Sequence, residues 1–156
     1  MTAEEARLHI RYSGWASRRL LDAALTLTGD QLQRDMNVSH KSVLDTLNHI
    51  HMADRAWLYR ALERPMEAPE GPIEAEWPRI QRRWEEWSDS LAGADLERII
   101  VYKDMKGNPH QSALWQIVLH LVNHATLHRG QVMAMMRQLG VAPPPTDLIF
   151  YYREQK

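Results

Sequence analysis

The sequence contains no cysteine. This absence excludes disulfides, cysteine-ligated zinc sites, iron–sulfur clusters and a thiol nucleophile, so any bound metal ion must be held by His, Asp or Glu. The chain also lacks the ~18–20 consecutive apolar residues that a membrane-spanning helix needs, and its first residues, MTAEEARLHI, do not form a signal-peptide pattern. We therefore expect a cytoplasmic protein with no membrane partner.

An excess of charge of one sign is missing as well, because 19 Lys and Arg residues face 20 Asp and Glu residues, for a net charge of −1. A chain that neutralises many phosphates would be basic, so nucleic acid is not an expected partner. Several catalytic motifs are also absent: the Glu-x-x-His pairs of di-iron bundles, His-Glu-x-x-His, a glycine-rich phosphate loop and Gly-x-Ser-x-Gly. These absences exclude the corresponding enzyme classes.

What the sequence does contain is a row of histidines, His120, His124 and His128, which are three of its eight. Residues four apart differ by only about 40° on a helix, so the three imidazoles would share one face. Two histidines at this spacing can bind one divalent ion, but a site needs at least one further ligand. The alternative is that these are ordinary core histidines, each satisfied by a hydrogen bond.

The further ligand must come from another part of the chain, and five histidines are candidates: His9, His40, His49, His51 and His110. His49 and His51 cannot both point at one spot on a helix. Helical periodicity slightly favours His51, which lies nearer the apolar stripe, but it does not decide between them.

Hydrophobic periodicity predicts four amphipathic helices. We expect them at about 3–27, from a Ser39 cap to about 62, around Trp77–Leu91, and from Gln111 or Ser112 to Gly140. A β-prone run at 98–102 and a turn at 104–107 predict a short β-hairpin or extended loop between the third and fourth helices. Thr146 is expected to cap a last helical turn. The expected fold is therefore all-α, a four-helix bundle forming a single domain over residues 1–156.

The tryptophan-rich third helix and the Met133–Met136 segment offer more apolar surface than a thin bundle readily hides. We therefore expect a homodimer, with plain core packing as the alternative.

The whole chain resembles the DinB family of four-helix-bundle metalloenzymes, which are related to bacterial low-molecular-weight thiol transferases. The resemblance lies in segments 12–16 (YSGWA), 47–50 (LNHI) with Asp54 and Trp57, 120–131 (HLVNHATLHRGQ) and 145–149 (PTDLI). It implies that His49, His124 and His128 bind the metal, in preference to His51. Family members often have a histidine at the position of Leu127, so an accessory polar group is expected to be missing here. His120, one turn earlier, is expected to support the ligands through a hydrogen bond.

Three neutral imidazoles would leave a position open on the ion, as in catalytic metal sites. We expect zinc, with nickel or iron(II) as alternatives. The catalytic candidates are Gln131, which could orient a bound water; Asp54, a general base or a structural ion-pair residue; and Tyr12, a hydrogen-bond donor or a core aromatic.

The resulting hypothesis is a metal-dependent hydrolase or a transferase that joins a small thiol to an electrophile, with a small-molecule substrate. A non-catalytic, stress-related metal-binding bundle and a plain dimerisation module are the competing hypotheses.

Overall fold

The computed structural model describes residues 1–155 and contains a bundle of four long helices. The elements, in chain order, are α1 (Ala3–Ala24), α2 (Gly29–Gln33), α3 (Val43–Ala61), α4 (Ile73–Asp89), a 3-10 turn (Gly93–Glu97), β1 (Ile99–Lys103), β2 (Pro109–Ala113), α5 (Leu114–Gln138) and α6 (Leu148–Glu154). Helix α5 packs against α1 and α3, and α4 covers the other side of both. The predicted four-helix bundle is confirmed.

Local sequence signals fix several of the helix ends. Thr2 caps α1 and forms a reciprocal capping box with Glu5, as a threonine three residues before a glutamate predicts. Ser42 caps α3 by accepting a hydrogen bond from the backbone N–H of Asp45. The expectation that Ser39 is this cap was wrong, because residues 36–41 form a tight turn ahead of the helix.

The predicted hairpin is present as an antiparallel pair of strands, with Ile99 opposite Ala113 and Lys103 opposite Pro109. It uses Gln111 and Ser112 in β2, so α5 begins at Leu114 rather than at either of these residues. Pairing with β1 holds Gln111 and Ser112 in a strand and so prevents them from joining the helix. Helical periodicity takes no account of strand pairing, which is why it predicts too early a start for α5. Among residues 1–155, no helix is both long and apolar enough to cross a bilayer.

The apolar residues on which the dimer prediction rests are packed in the core of the bundle. Trp77 and Trp84 of α4 are buried, as are Met135 and Met136 at the end of α5. Met133 packs against the same core cluster. The homodimer stays a prediction, but these side chains no longer support it.

Asp54 anchors α4 to α3. Its Oδ2 accepts a hydrogen bond of 2.7 Å from the Trp77 indole N–H, and its backbone carbonyl accepts one of 3.0 Å from the Trp84 indole. Burial raises the pKa of this carboxyl from 3.8 to about 7, against the lowering influence of the Trp77 hydrogen bond and of the Arg129 charge.

We expect Asp54→Asn to change how stability depends on pH. The folded protein holds the Asp54 proton more tightly than the unfolded chain, so the free energy of unfolding falls as pH rises from about 3.8 to about 7. An asparagine keeps an acceptor for Trp77 but cannot ionise. The variant should therefore gain stability relative to the unmodified protein across this range, by on the order of 2–4 kcal/mol, and the difference should level off above it.

Urea denaturation of metal-free protein at several pH values measures this difference, and the other titrating groups cancel in the comparison. A difference that stays constant from pH 4.5 to pH 8 would contradict the account of Asp54.

Candidate metal centre

Four imidazoles converge where α3 faces α5. His49 comes from α3, His124 and His128 from successive turns of α5, and His40 from the turn that precedes α3. The ring centroid of His49 lies 4.8 Å from that of His124 and 4.5 Å from that of His128, and the two α5 rings are 4.5 Å apart. The three histidines that the resemblance implies as metal ligands therefore lie side by side.

The Nε2 atoms of His49 and His124 are 2.9 Å apart. Two nitrogens that each lie ~2.0–2.1 Å from one ion are separated by about 2.9–3.4 Å, for bond angles between 90° and tetrahedral. The pair thus has a separation that a shared ion would require, and in the absence of an ion the same separation permits an imidazole–imidazole hydrogen bond.

His40 completes the cluster. Its ring stacks on His49 with centroids 3.9 Å apart, and it meets the His128 ring edge-on at 5.1 Å. One ring nitrogen from each of His40, His49 and His128 lies within 4.8 Å of the other two. From the sequence, His40 is only one of five candidates, because no periodicity relates a turn residue to a helix face.

The electrostatic setting keeps His49 and His124 neutral. Burial, followed by the influence of neighbouring imidazoles, lowers the pKa of both His49 and His124 to about 4. A neutral ring retains the lone pair with which it binds a metal ion, so neither His49 nor His124 has to lose a proton to the solvent before it binds an ion at pH 7. The donor set therefore fits a divalent transition metal ion.

Gln131 fixes the orientation of His128. The Nδ1 atom of His128 lies 2.8 Å from Oε1 of Gln131. Because an amide oxygen can only accept, Nδ1 carries the proton and the Nε2 lone pair is left for an ion. The sequence predicts that Gln131 orients a bound water, whereas its contact in the structure is with the imidazole itself.

We expect Gln131→Leu to weaken metal binding by roughly 10–100-fold, the usual cost of losing such an outer partner. Gln131→Glu is the matched control, because a carboxylate still accepts from Nδ1 and should keep the affinity close to that of the unmodified protein. Competition with a chromophoric chelator measures both. Equal affinities for the Leu variant and the unmodified protein would show that the contact does not support the site.

His51 and His120 lie beside the cluster without joining it. His51 is buried and faces α4, with its ring 6.4 Å from that of Trp77. His120 is exposed, packs edge-on against Trp57 at 5.0 Å and lies 5.6 Å from the His124 ring. Within residues 1–155 His120 makes no hydrogen bond to His124. It contacts that residue through its ring instead of through the predicted hydrogen bond.

The other catalytic candidates point away from the imidazoles. Asp54 faces the tryptophans of α4, as described above. The Tyr12 hydroxyl donates to the Thr146 carbonyl at 2.9 Å, and its ring packs against Tyr151. Both contacts hold helices together, and neither brings a polar atom to the cluster.

Arg129, next to His128, is buried and fixes α5 against α1. Its guanidinium donates to the hydroxyls of Ser13 and Ser17 and to that of Thr126. It also lies over the Tyr12 ring, 5.5 Å from the centroid. The Arg-Gly-Gln segment therefore combines a helix-packing arginine with the glutamine that orients His128.

A cavity of about 280 Å³ opens beside His49. Its other lining residues are apolar apart from one arginine: Met52, Ala53, Ala56, Trp57, Met66, Met105 and Arg60. The Arg60 guanidinium stacks on Trp57 and donates to the Lys103 carbonyl. A larger cavity of about 630 Å³ lies at the start of α1, beside His9, and shares no residue with the imidazole cluster.

The fold and the imidazole cluster place the chain in a class of helical-bundle proteins that have a candidate metal site between two helices. The DinB family model matches residues 1–156, so the chain belongs to the DinB family. The predicted resemblance is confirmed.

Two relatives support this assignment. The chain is 24% identical over 153 residues to Protein DinB of Bacillus subtilis (strain 168), covering 90% of this chain and 89% of that protein. It also matches the crystal structure of a DinB-like protein from Bacillus cereus ATCC 10987, with a TM-score of 0.58 and 21% identity over 86% of this chain and 91% of that one. At that identity the structural match shows the fold alone.

Proposed function

We propose that this protein is a metal-dependent enzyme that activates a small thiol and transfers it to an electrophile. The observation that carries the proposal is the convergence of neutral imidazoles from α3 and α5 next to a cavity of substrate size. In this proposal His49, His124 and His128 hold one divalent ion. Zinc fits three imidazoles and an open position, and nickel and iron(II) fit the same nitrogens.

The chain's own groups would prepare the site. His49 and His124 offer neutral nitrogens because burial suppresses their protonation, and Gln131 holds His128 in the tautomer that leaves Nε2 free. A bound ion would supply Lewis acidity, which lowers the pKa of a water or thiol that binds to it. Trp57 and the methionines beside His49 would exclude water from an apolar substrate.

The cavity favours an enzyme over a non-catalytic metal-binding bundle, because an ion that only supports the fold needs no adjoining space. Methionine side chains are flexible and polarisable, so they can adapt to apolar groups of different shapes. Arg60 adds a positive charge at the wall of the cavity. We infer that the substrate is a small molecule with an apolar part and an anionic group.

The residues around the imidazole cluster favour thiol transfer over hydrolysis. Within residues 1–155, no carboxylate lines the cavity beside His49 or forms a hydrogen bond with the four clustered imidazoles. A thiol needs no general base once its pKa is lowered, whereas carboxylate-assisted hydrolysis needs a base within reach of the water. Hydrolysis by a water of lowered pKa is the second candidate function.

The test uses metal-free protein reloaded with Zn²⁺, Ni²⁺ or Fe²⁺. Each form is incubated with a low-molecular-weight thiol, such as cysteine or glutathione, and 1-chloro-2,4-dinitrobenzene. In this reaction the thiolate sulfur forms a bond to the ring carbon while the carbon–chlorine bond breaks and chloride leaves. A parallel set of ester and amide substrates tests hydrolysis.

We expect at least one metal form to accelerate thioether formation above both the metal-free protein and the loaded His49→Ala variant. Trp57→Ala is expected to raise the KM for the electrophile with little effect on metal content. Metal-dependent cleavage of esters or amides without thioether formation would favour the second candidate. Stoichiometric metal with no turnover in either set would contradict an enzymatic function.

A further inference from the structure

We propose that His40 is a fourth nitrogen ligand of the same ion, and that it is the ligand that gives up its place to the substrate. This inference rests on the proposed function, since it concerns the ion that His49, His124 and His128 would hold. The residue belongs to a turn rather than to a helix of the bundle.

The position of the ring is the first observation. His40 lies against both α3 and α5 ligands at once, with 3.9 Å between its centroid and that of His49 and 5.1 Å to that of His128. Its ligand nitrogen is within 4.8 Å of one nitrogen on each. An imidazole that met only one neighbour would be explained by stacking, whereas this one lies against a ring from α3 and a ring from α5.

The second observation is how the turn is held. The Met36 N–H donates to the Lys41 carbonyl at 2.7 Å, and the Lys41 N–H donates to the Val38 carbonyl at 2.9 Å. The side chains of Met36 and Val38 pack against the bundle core. These contacts hold His40 over the first turns of α3.

Lys41 has a left-handed backbone conformation, with φ of 62°. This conformation costs a residue with a side chain on the order of 1 kcal/mol and recurs where surrounding structure holds a functional group in place. The residue with this unfavourable backbone conformation directly follows His40, the residue that we propose as a ligand.

The turn also explains why His40 would be the exchangeable ligand. The other three imidazoles project from long helices whose backbones are fixed by their own hydrogen bonds. His40 is only half-buried, so its side chain can rotate away from the ion while the turn keeps its contacts with the bundle. Four nitrogens would close a tetrahedral shell, so a substrate could bind an ion there only if one ligand left.

Cobalt(II) provides the test, because it takes zinc-type sites and is paramagnetic. Each histidine bound through one ring nitrogen, with a proton on the other, gives one strongly shifted exchangeable proton signal. We expect such signals from four imidazoles in the unmodified protein and from three in both His40→Ala and His40→Gln. His110→Gln, an exposed histidine in the hairpin, is the matched control and should keep all four.

Metal affinity gives a second readout. His40→Ala should still bind one equivalent of cobalt, more weakly than the unmodified protein by at least the roughly 10–100-fold that an outer partner contributes. Addition of 2-mercaptoethanol to the unmodified cobalt protein should remove the signal that the His40 variants lack and leave the other three. Circular dichroism of the metal-free variants establishes that they remain folded.

The outcomes separate this inference from the proposed function. Three signals in the unmodified protein, unchanged in the His40 variants, would refute His40 as a ligand and leave a three-histidine site. A His40 signal that persists at saturating thiol would refute the exchange. If the unmodified protein binds no cobalt, the proposed function itself fails.

Discussion

His49→Ala is expected to lose its metal ion. The substitution removes one of the three nitrogens that we propose as ligands of the ion, which should cost more than the roughly 10–100-fold of an outer partner. The unmodified protein, desalted after loading, should retain one equivalent of Zn²⁺ or Ni²⁺, and the variant should retain none. His124→Ala should behave in the same way, because its Nε2 lies 2.9 Å from that of His49.

The same loss should appear in thermal unfolding. A metal ion present at 1,000 times its Kd stabilises the folded state by about 4 kcal/mol, which raises Tm by roughly 8–16 °C for a domain of this size. We expect a shift of this order for the unmodified protein and none for His49→Ala at the same metal concentration.

His51→Gln is the matched control for this experiment. His51 lies two residues along the same helix, but its ring faces Trp77 rather than the cluster. Whatever its stability, the variant should retain stoichiometric metal. Loss of metal in His51→Gln with retention in His49→Ala would reverse the assignment of the α3 ligand.

Glu76→Ala is expected to destabilise the protein by about 3–5 kcal/mol, because it leaves a buried charge without its partner. Arg55 of α3 is fully buried, and its guanidinium donates to Glu76 of α4 at 2.9 Å. It also donates to the Glu67 carbonyl, which does not neutralise the charge. Urea denaturation of metal-free protein measures the change in the free energy of unfolding.

Two variants give this prediction its controls. Asp89→Ala breaks a shorter ion pair, 2.6 Å to Arg11, but both side chains are about half exposed, so the cost should stay below about 1 kcal/mol. In Arg55→Met/Glu76→Leu both charges are removed together, and much of the lost stability should return. Equal effects of Glu76→Ala and Asp89→Ala would contradict the importance of burial.

Much of the fold could be predicted from the sequence because each long helix carries its own apolar stripe. The helix ends were less predictable. Ser39 and Ser42 are both good caps, and only the turn that places His40 over α3 selects Ser42. In the same way, Gln111 and Ser112 suit a helix start until β1 pairs with them.

The candidate site was only partly predictable, for a similar reason. The spacing of His124 and His128 places them on one face of any helix, so their proximity follows from local geometry. The choice of His49 over His51 depends on how α3 is rotated against α5, and periodicity favoured the wrong side. His40 depends on a turn conformation with a left-handed Lys41, which no pattern in the sequence indicates.

The most direct test of the account is anomalous diffraction from crystals of the metal-loaded protein, recorded on both sides of the absorption edge of the metal. We predict one peak between α3 and α5, about 2.0–2.1 Å from the Nε2 atoms of His49, His124 and His128. A peak elsewhere, or no peak in protein that carries no metal after loading, would contradict a shared ion at these imidazoles.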